Sequence, residues 1–313
     1  MSGVEEVADG KKAGRFKKHM IRYIYLYLMI APVIVYYLIF MYAPMFGLQI
    51  AFKDYRPSLG MLQSPFVGIK HFTAFFGSYY FERILKNTLL ISFYDILFGF
   101  PAPIILALIL NEQRNALFKR SVQTVTYLPH FVSTVIICGM MVDFLSLNGW
   151  VNAILSSLTG RAPTAFLQVP EWFRGIFVGS NIWQEVGWGS IIYLSALSAI
   201  NEEYYEAARI DGASRWQQLR HITLPGILST IVIMLIMRVG RVMNVSSEKV
   251  LLLYTPNTYE TADVISTFVY RKGILESNYG YATAVGLFNS AVNFVLLISV
   301  NQLSRKVTDN SLW

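Results

Sequence analysis

Residues 201–225 read Asn-Glu-Glu-Tyr-Tyr-Glu-Ala-Ala-Arg-Ile-Asp-Gly-Ala-Ser-Arg-Trp-Gln-Gln-Leu-Arg-His-Ile-Thr-Leu-Pro. This polar stretch stands between two apolar segments, 175–199 and 223–245, which are each long enough to cross a bilayer. Gly212 can adopt a left-handed backbone and end a first short helix. Ser214 can open a second one through a capping box with the glutamine three residues later. The stretch therefore predicts two short helices in water, attached to a membrane-embedded bundle.

Within the second short helix, Trp216, Leu219 and Ile222 recur at i, i+3 and i+6. This apolar stripe predicts that the helix is anchored against the bundle. The alternative is a solvated loop that only connects two membrane helices.

The composition of the whole chain supports a membrane protein. Of 313 residues, 54% are hydrophobic and 14% are charged, whereas soluble domains carry about 25% charged residues. The single cysteine, Cys138, rules out a disulfide framework or a thiolate metal cluster. The net charge of +7 indicates membrane topology rather than a nucleic-acid partner. Neither a metal nor a nucleic acid is therefore expected.

Six apolar segments have the length of about 20 residues that a membrane-spanning helix needs. They are 23–47, 87–110, 121–143, 175–199, 223–245 and 281–303. Lys and Arg are denser in the N-terminal segment and in alternate loops, and such residues gather on the cytoplasmic side. We therefore expect an all-α integral membrane protein with six transmembrane helices and both termini in the cytoplasm. Its parts are a basic N-terminal segment 1–22, the membrane domain 23–303 and a cytoplasmic tail 304–313.

The stretch 201–225 also resembles the EAA loop of binding-protein-dependent ABC importer permeases. The matching residues are Glu206, Ala207, Ala208, Gly212, Ile222, Leu224 and Pro225. Residues 66–72 (Phe-Val-Gly-Ile-Lys-His-Phe), with Asn87 and Thr88 beyond them, are similar to the segment before the second crossing of maltose-type sugar permeases. The resemblance implies a type I ABC importer permease fold, in the polysaccharide and oligosaccharide branch.

The resemblance also implies a set of partners. In this family the EAA loop forms a coupling helix that fits a cleft in a separate ATPase dimer, so the seven matching residues are expected to contact that ATPase. ATP and magnesium belong to the ATPase, since this chain lacks a Gly-x-x-x-x-Gly-Lys-Ser/Thr loop. The chain is thus expected to be no enzyme and to hold no cofactor. A second homologous permease subunit (forming a heterodimer), an extracytoplasmic substrate-binding protein, membrane lipid and a prokaryotic plasma membrane complete the expectation.

Polar residues recur at similar depth in three of the predicted membrane helices, roughly 12–15 Å from the outer face. They are Asn181, Gln184, Glu185, Trp188, Arg238, Arg241, Asn289 and Asn293. Amides and a carboxylate suit sugar hydroxyls, and an indole suits the apolar face of a sugar ring. The two arginines favour an acidic sugar such as a uronate. These residues are therefore candidates for the substrate path.

Several alternatives stay open. Glu185 could pair with Arg238 to hold two helices together, and Asn289 and Asn293 could bridge helices at an interface. In another class, an ion-coupled secondary transporter, Asp95 or Glu185 would be the coupling carboxylate. In the ABC interpretation Asp95 is structural, as is His130.

Overall fold

The computed structural model describes residues 22–308, which fall into two compact units, one up to Gly68 and one from Ile69 onward. The described part of the chain is helical. Its one β pairing is an isolated antiparallel bridge between Lys53 and Phe66. The predicted segment 1–22 lies outside the described residues except for its last residue, and the predicted tail 304–313 is described only as far as residue 308, so these boundaries stay predictions.

The α-helices of seven or more residues in the described part of the chain are numbered α1 to α12. They are α1 (Ile24–Tyr37), α2 (Lys70–Phe76), α3 (Tyr80–Tyr94), α4 (Pro101–Glu112), α5 (Ala116–Tyr127), α6 (Thr134–Phe144), α7 (Trp150–Thr159), α8 (Pro170–Ser198), α9 (Glu202–Ile210), α10 (Leu228–Val239), α11 (Ser247–Leu253) and α12 (Tyr279–Thr308). Shorter helical turns are named by their residues.

Between residues 22 and 308, three continuous helical stretches are long and apolar enough to cross a membrane. They are Ile24–Phe52, Tyr80–Glu112 and Tyr279–Lys306. The first belongs to the unit that ends at Gly68, and none of its α1 residues is buried. The second joins α3 to α4 through a π-helical turn, Asp95–Gly99. These stretches cover the predicted spans 23–47, 87–110 and 281–303.

The predicted span 121–143 is not a single straight helix, because the chain bends by 100° between Ala116–Phe131 and α6. Pro129 lies in the 3-10 turn Leu128–Phe131 that ends the first helix. The Ser133 side chain then accepts a hydrogen bond from the Ile136 N–H and opens α6 as a new helix. The chain bends here because one helical segment ends at Phe131 and α6 begins at Thr134 with its own N-cap.

The predicted span 223–245 also differs from the structure. Arg215–Gly226 and α10 meet at 59°, and α10 ends at Val239. Arg238 is therefore in the last turn of the helix, and Arg241 lies in the turn beyond it. If each bent pair counts as one span, up to five helical segments in the described residues satisfy the length and composition of a crossing.

Helix α8 is the central element of the larger unit. Its 29 residues span roughly 44 Å at 1.5 Å per residue, and it contains the predicted span 175–199. A Cβ on Gly187 would lie 2.0 Å from the Thr126 carbonyl oxygen, so α8 and α5 approach closely at this glycine. Phe177 of α8 packs in a buried cluster with Val250 of α11. Helices α5 and α11 are thereby fixed against α8.

Candidate functional site

The stretch 201–225 forms two short helices, as the sequence predicts. Asn201 caps α9 by accepting a hydrogen bond from the Glu203 N–H at 3.0 Å. After α9 ends, Gly212 has a φ of +76°, which favours glycine. Ser214 and Gln217 then form the capping box, with the Ser214 N–H donating to the Gln217 Oε1 at 2.7 Å. Hydrogen bonds between residues close in sequence thus cap both short helices.

Much of the surface of the helical pair is exposed. Glu206, Ala207 and Gly212 are exposed and Ala208 is half-buried. Apolar side chains are exposed as well, since Ile210 is 86% exposed. Such apolar surface in a polar segment is typical of a contact with another protein.

The predicted apolar stripe is only partly anchored. Leu219 and Ile222 are half-buried, but Trp216 is 70% exposed, so the expectation for Trp216 is wrong. The helix Arg215–Gln218 has a single turn before a π-helical segment, Leu219–Thr223, begins. The wider π turn breaks the i, i+3 spacing on which that expectation rested.

Two contacts connect the helical pair to the helix that follows it. The Tyr205 hydroxyl lies 3.0 Å from the Thr223 Oγ1, one residue before Leu224 and Pro225. The same Thr223 hydroxyl lies 3.4 Å from the carbonyl oxygen of Gln218, the last residue of the second short helix, to which it donates. A displacement of α9 would therefore be carried into the segment that leads to α10.

A cavity of about 580 Å³ lies between α3, α4, α8, α10 and the turn after α10. Four of the eight predicted substrate-path residues line it, namely Asn181, Trp188, Arg238 and Arg241. Asp95 and Asn244 also line it. Residues more than 140 positions apart in sequence meet here.

The ion pairs around the cavity differ from the predicted pair of Glu185 with Arg238. Arg238 Nη2 instead donates to Asp95 Oδ2. Glu185 Oε2 lies 3.0 Å from His130 Nδ1, and the His130 ring stacks on Trp188 with centroids 4.5 Å apart and planes at 2°. His130 lies in the 3-10 turn that follows α5, and the close approach of α5 to α8 at Gly187 places it beside α8. Asp95 and His130 thus have structural partners.

Arg241 has a different environment. It is exposed, lines the cavity and, within residues 22–308, has no carboxylate within ion-pair distance. Its guanidinium is consequently free to bind an anion.

Asn289 and Asn293 contact the turn after α10 rather than the cavity. Asn293 Oδ1 accepts a hydrogen bond from the Met243 N–H at 3.0 Å, and Asn289 Nδ2 donates to Asn244 Oδ1 at 2.9 Å. The cavity wall, as far as the described residues form it, includes neither asparagine. Their contacts correspond to the helix-bridging alternative, and through Asn244 they position one cavity residue.

Sequence reasoning missed Lys249, which is only 2% exposed. Its Nζ donates to Asn181 Oδ1 at 2.7 Å and reaches Gln184 Oε1 at 3.5 Å. Burial lowers the pKa of Lys249 to about 8, and the nearby Cys138, Glu185 and Asp95 oppose that shift. The sequence signal that could have identified it is a lysine that stands directly before four apolar residues, 250–253.

Within residues 22–308, no group of three His, Cys, Asp or Glu side chains could hold a metal ion. In the described residues, a helical and largely apolar bundle surrounds a cavity that several charged and amide side chains line, and this combination is typical of a membrane transport protein.

The comparisons with known proteins agree with that class. Residues 99–309 match the family model described as binding-protein-dependent transport system inner membrane component. The chain belongs to this family.

Three similar proteins place the chain more closely. It is 42% identical to the polygalacturonan/rhamnogalacturonan transport system permease protein YteP of Bacillus subtilis (strain 168), covering 97% of this chain and 94% of that one. It is 47% identical, with a TM-score of 0.88, to a chain of a bacterial ABC transporter involved in the import of the acidic polysaccharide alginate, covering 94% and 99%. A bacterial alginate ABC transporter in complex with an alginate pentasaccharide-bound periplasmic protein gives 46% identity and the same TM-score, covering 95% and 100%.

The family assignment confirms the sequence-based interpretation as an ABC importer permease, a membrane subunit that is not an enzyme. The ion-coupled secondary transporter is not supported. Its first candidate carboxylate, Asp95, is paired with Arg238.

Proposed function

We propose that the chain is one of two permease subunits of an importer that carries an acidic oligosaccharide through the membrane. The observation that carries the proposal is Arg241, an unpaired guanidinium exposed in the cavity. The wall formed by the described residues holds two guanidinium groups, Arg238 and Arg241, against one carboxylate, Asp95. This excess positive charge favours a carboxylate-bearing sugar. The names of the relatives, which refer to polygalacturonan and alginate, support the same substrate class.

Trp188 and Asn181 complete the proposed substrate path. His130 covers one face of the indole, and the exposed part of the ring offers apolar surface to a sugar. The amide offers hydrogen bonds to hydroxyls or to a carboxylate. The other four predicted residues do not line the cavity but support residues that line it or lie beside it. They do so through their hydrogen bonds, and they are Gln184, Glu185, Asn289 and Asn293.

The helical pair is the proposed coupling element. Glu206, Ala207, Ala208, Gly212, Ile222, Leu224 and Pro225 would meet a separate ATPase dimer, which binds ATP and magnesium. Exposed apolar side chains such as Ile210 support a protein contact here, and the Tyr205–Thr223 hydrogen bond supports transmission toward α10.

We further propose six crossings with both termini in the cytoplasm of a prokaryotic cell. Helix α8, long enough but rich in polar residues, would be the fourth crossing, and the two bent pairs would be the third and fifth. The distribution of Lys and Arg supports this orientation. A second, non-identical permease subunit would complete the path, and an extracytoplasmic binding protein would deliver the sugar.

The test uses the complete complex in proteoliposomes: this chain, its partner permease, the ATPase and the binding protein. Uptake of alginate pentasaccharide is compared with uptake of its methyl ester, which has the same length and no charge. We expect the free acid to be transported at least about tenfold faster, since a charge-assisted hydrogen bond contributes about 1.5–3 kcal/mol. Equal uptake of both sugars would overturn the acidic substrate class.

The variant Arg241→Gln tests the observation on which the proposal rests, the guanidinium of Arg241 in the cavity wall. We expect it to lower uptake of the free acid about tenfold and to leave uptake of the ester unchanged. Arg305→Gln is the matched control, because Arg305 is also exposed but lies near the end of α12. Loss of the assembled complex in Arg241→Gln would instead assign Arg241 a structural role.

A further inference from the structure

Lys249 is a buried cation that the described residues leave without a carboxylate partner. Its Nζ contacts two amide oxygens, of Asn181 and Gln184, and lies 5.8 Å from the centroid of the Phe177 ring. No Asp or Glu between residues 22 and 308 comes within ion-pair distance of it. Burying an ammonium is costly unless its hydrogen bonds are satisfied. A methionine would fill a similar space without that desolvation cost. The role of the charge therefore lies in its contacts with the amide oxygens of Asn181 and Gln184.

The ammonium group determines how the Asn181 amide is oriented. Lysine has three donors and no acceptor, so it can contact an amide only through the amide oxygen. At 2.7 Å from Nζ, the Asn181 Oδ1 is fixed on the side of Lys249. The Nδ2 must then point elsewhere, and in the described part of the chain it donates to no protein acceptor. Asn181 itself lines the cavity.

We propose that Lys249 is a positioning residue for substrate selectivity, which holds the oxygen of Asn181 and thereby presents its N–H groups to the cavity. This inference rests on the proposed transport of an acidic oligosaccharide. Without Lys249 the amide can rotate by 180° and present either its oxygen or its nitrogen. With Lys249 in place, the Asn181 amide presents only its N–H donors to the cavity that Arg241 also lines. Such donors bind carboxylate and hydroxyl oxygens, and an acceptor turned toward a carboxylate would repel it.

The position of the Lys249 side chain depends on the N-terminal cap of α11 and on the buried cluster against which α11 packs. Lys249 is in the first turn of α11, whose Val250 and Leu253 pack in the same buried cluster as Cys138 of α6 and Phe177 of α8. The Ser246 hydroxyl caps α11 by accepting from the Lys249 N–H at 3.4 Å. The cap and the buried cluster hold the Lys249 side chain behind the cavity wall, where it is 2% exposed.

The experiment compares Lys249→Met with Lys86→Met in the reconstituted complex. Lys86 is an exposed lysine of α3 and serves as the matched control. At saturating loaded binding protein, we expect Lys249→Met to lower uptake of alginate pentasaccharide about tenfold, the effect of one hydrogen bond to a charged group. Uptake of the methyl ester should stay within about twofold, and ATPase stimulation by the loaded binding protein should be unchanged.

A second variant separates orientation of the amide from packing of the lysine. Asn181→Asp keeps an oxygen on Lys249 and adds an ion pair, but it replaces the cavity-facing donor by a second carboxylate oxygen. We expect this variant to assemble normally and to lose uptake of the free acid by at least as much as Lys249→Met. If Asn181→Asp transports the free acid like the wild type, or if Lys249→Met slows both sugars equally, the positioning role is overturned.

The pH profile gives a readout that a packing role would not change. The charged or titratable groups facing Lys249 are Cys138 of α6, Glu185 of α8, Asp95 of the π turn and the neighbouring Glu248. With a pKa of about 8, Lys249 is protonated at pH 7 and loses its proton toward pH 9. A neutral amine can accept as well as donate a hydrogen bond, so Lys249 then no longer fixes the Asn181 amide with its oxygen toward Nζ. Uptake of the free acid should fall between pH 7 and pH 9 in the wild type, and this fall should be absent in Lys249→Met; the same fall in both would contradict the proposal.

The outcomes also separate this inference from the proposed function. If the wild type transports the methyl ester as well as the free acid, the proposed substrate class fails before Lys249 is considered. If the wild type prefers the free acid and Lys249→Met keeps that preference, only the inference about Lys249 fails.

Discussion

The helical pair at 201–225 and the cavity around Arg241 are built in opposite ways. In the helical pair, the contacts that define the shape join residues two to five positions apart, such as Asn201 with Glu203 and Gln218 with Ala213. In the cavity they join distant segments, such as Asp95 with Arg238 and Lys249 with Asn181. The first region is a product of local chemistry, and the second exists only when the whole bundle has folded.

The difference has a functional consequence. A short, locally determined element can keep its shape while it moves as a unit, which suits a part that a partner pushes. A cavity whose wall comes from several helices changes whenever those helices shift, which suits a site that must open and close. Variants that affect one region and leave the other intact test this division.

The largest effect is expected from Gly212→Pro. Proline fixes φ near −65°, whereas Gly212 has a φ of +76°, and the hydrogen bond from its N–H to the Arg209 carbonyl would also be lost. We expect ATP-driven uptake to fall below about one hundredth of the wild-type rate, because a conflict of roughly 3 kcal/mol or more disrupts the turn between the two short helices. Membrane insertion, measured by the yield of purified complex, should be unchanged.

Gly160→Pro is the matched control for that variant. Gly160 also has a positive φ, +68°, and its N–H donates to the Ser156 carbonyl at 2.9 Å. The same backbone conflict is thus placed at the end of α7, away from the helical pair. If both variants abolish uptake equally, or if Gly212→Pro transports normally, the coupling role of the helical pair is wrong.

The next largest effect is expected from Gly187→Val, which tests the cavity. The new side chain would collide with the backbone of Thr126, 2.0 Å from the Cβ position. Overpacking costs about 1–3 kcal/mol and more where backbone must shift. We expect a lower thermal unfolding temperature in detergent and loss of selectivity between free acid and ester. Gly179→Val on the same helix meets nothing within 4 Å and should retain both properties; equal destabilisation by the two variants would show that the close approach does not matter.

The smallest effect is expected from Ser214→Ala. It removes the hydroxyl that accepts from the Gln217 N–H, at a cost of about 1 kcal/mol for the second short helix. We expect the amount of sugar imported per ATP hydrolysed to fall a few-fold, with unchanged preference for the free acid. The control is Ser198→Ala, whose hydroxyl only donates to the Ser195 carbonyl. A change in substrate preference in Ser214→Ala would contradict the separation of the two regions.

How much could be predicted from the sequence differs between the same two regions. The turn at Gly212 and the capping box at Ser214 were predicted correctly, since both depend on residues within one or two turns of helix. The six predicted substrate-path residues on α8 and α12 could be recognised as polar residues in apolar segments. Their partners could not, and Arg238 contacts Asp95 rather than Glu185. The bends near Pro129 and Gly226 were missed because hydrophobic length alone does not report helix direction.

The sequence alone determined the class of protein, the family and the two short helices of 201–225, because composition, segment length and residues at fixed short spacing carry that information. Only the tertiary structure decided which charges are paired, which arginine is left free and that Lys249 lies behind Asn181. Those facts depend on the angles at which helices meet. Side chains separated by tens of residues in sequence come within hydrogen-bonding distance only after the bends and the close approach at Gly187 have set those angles.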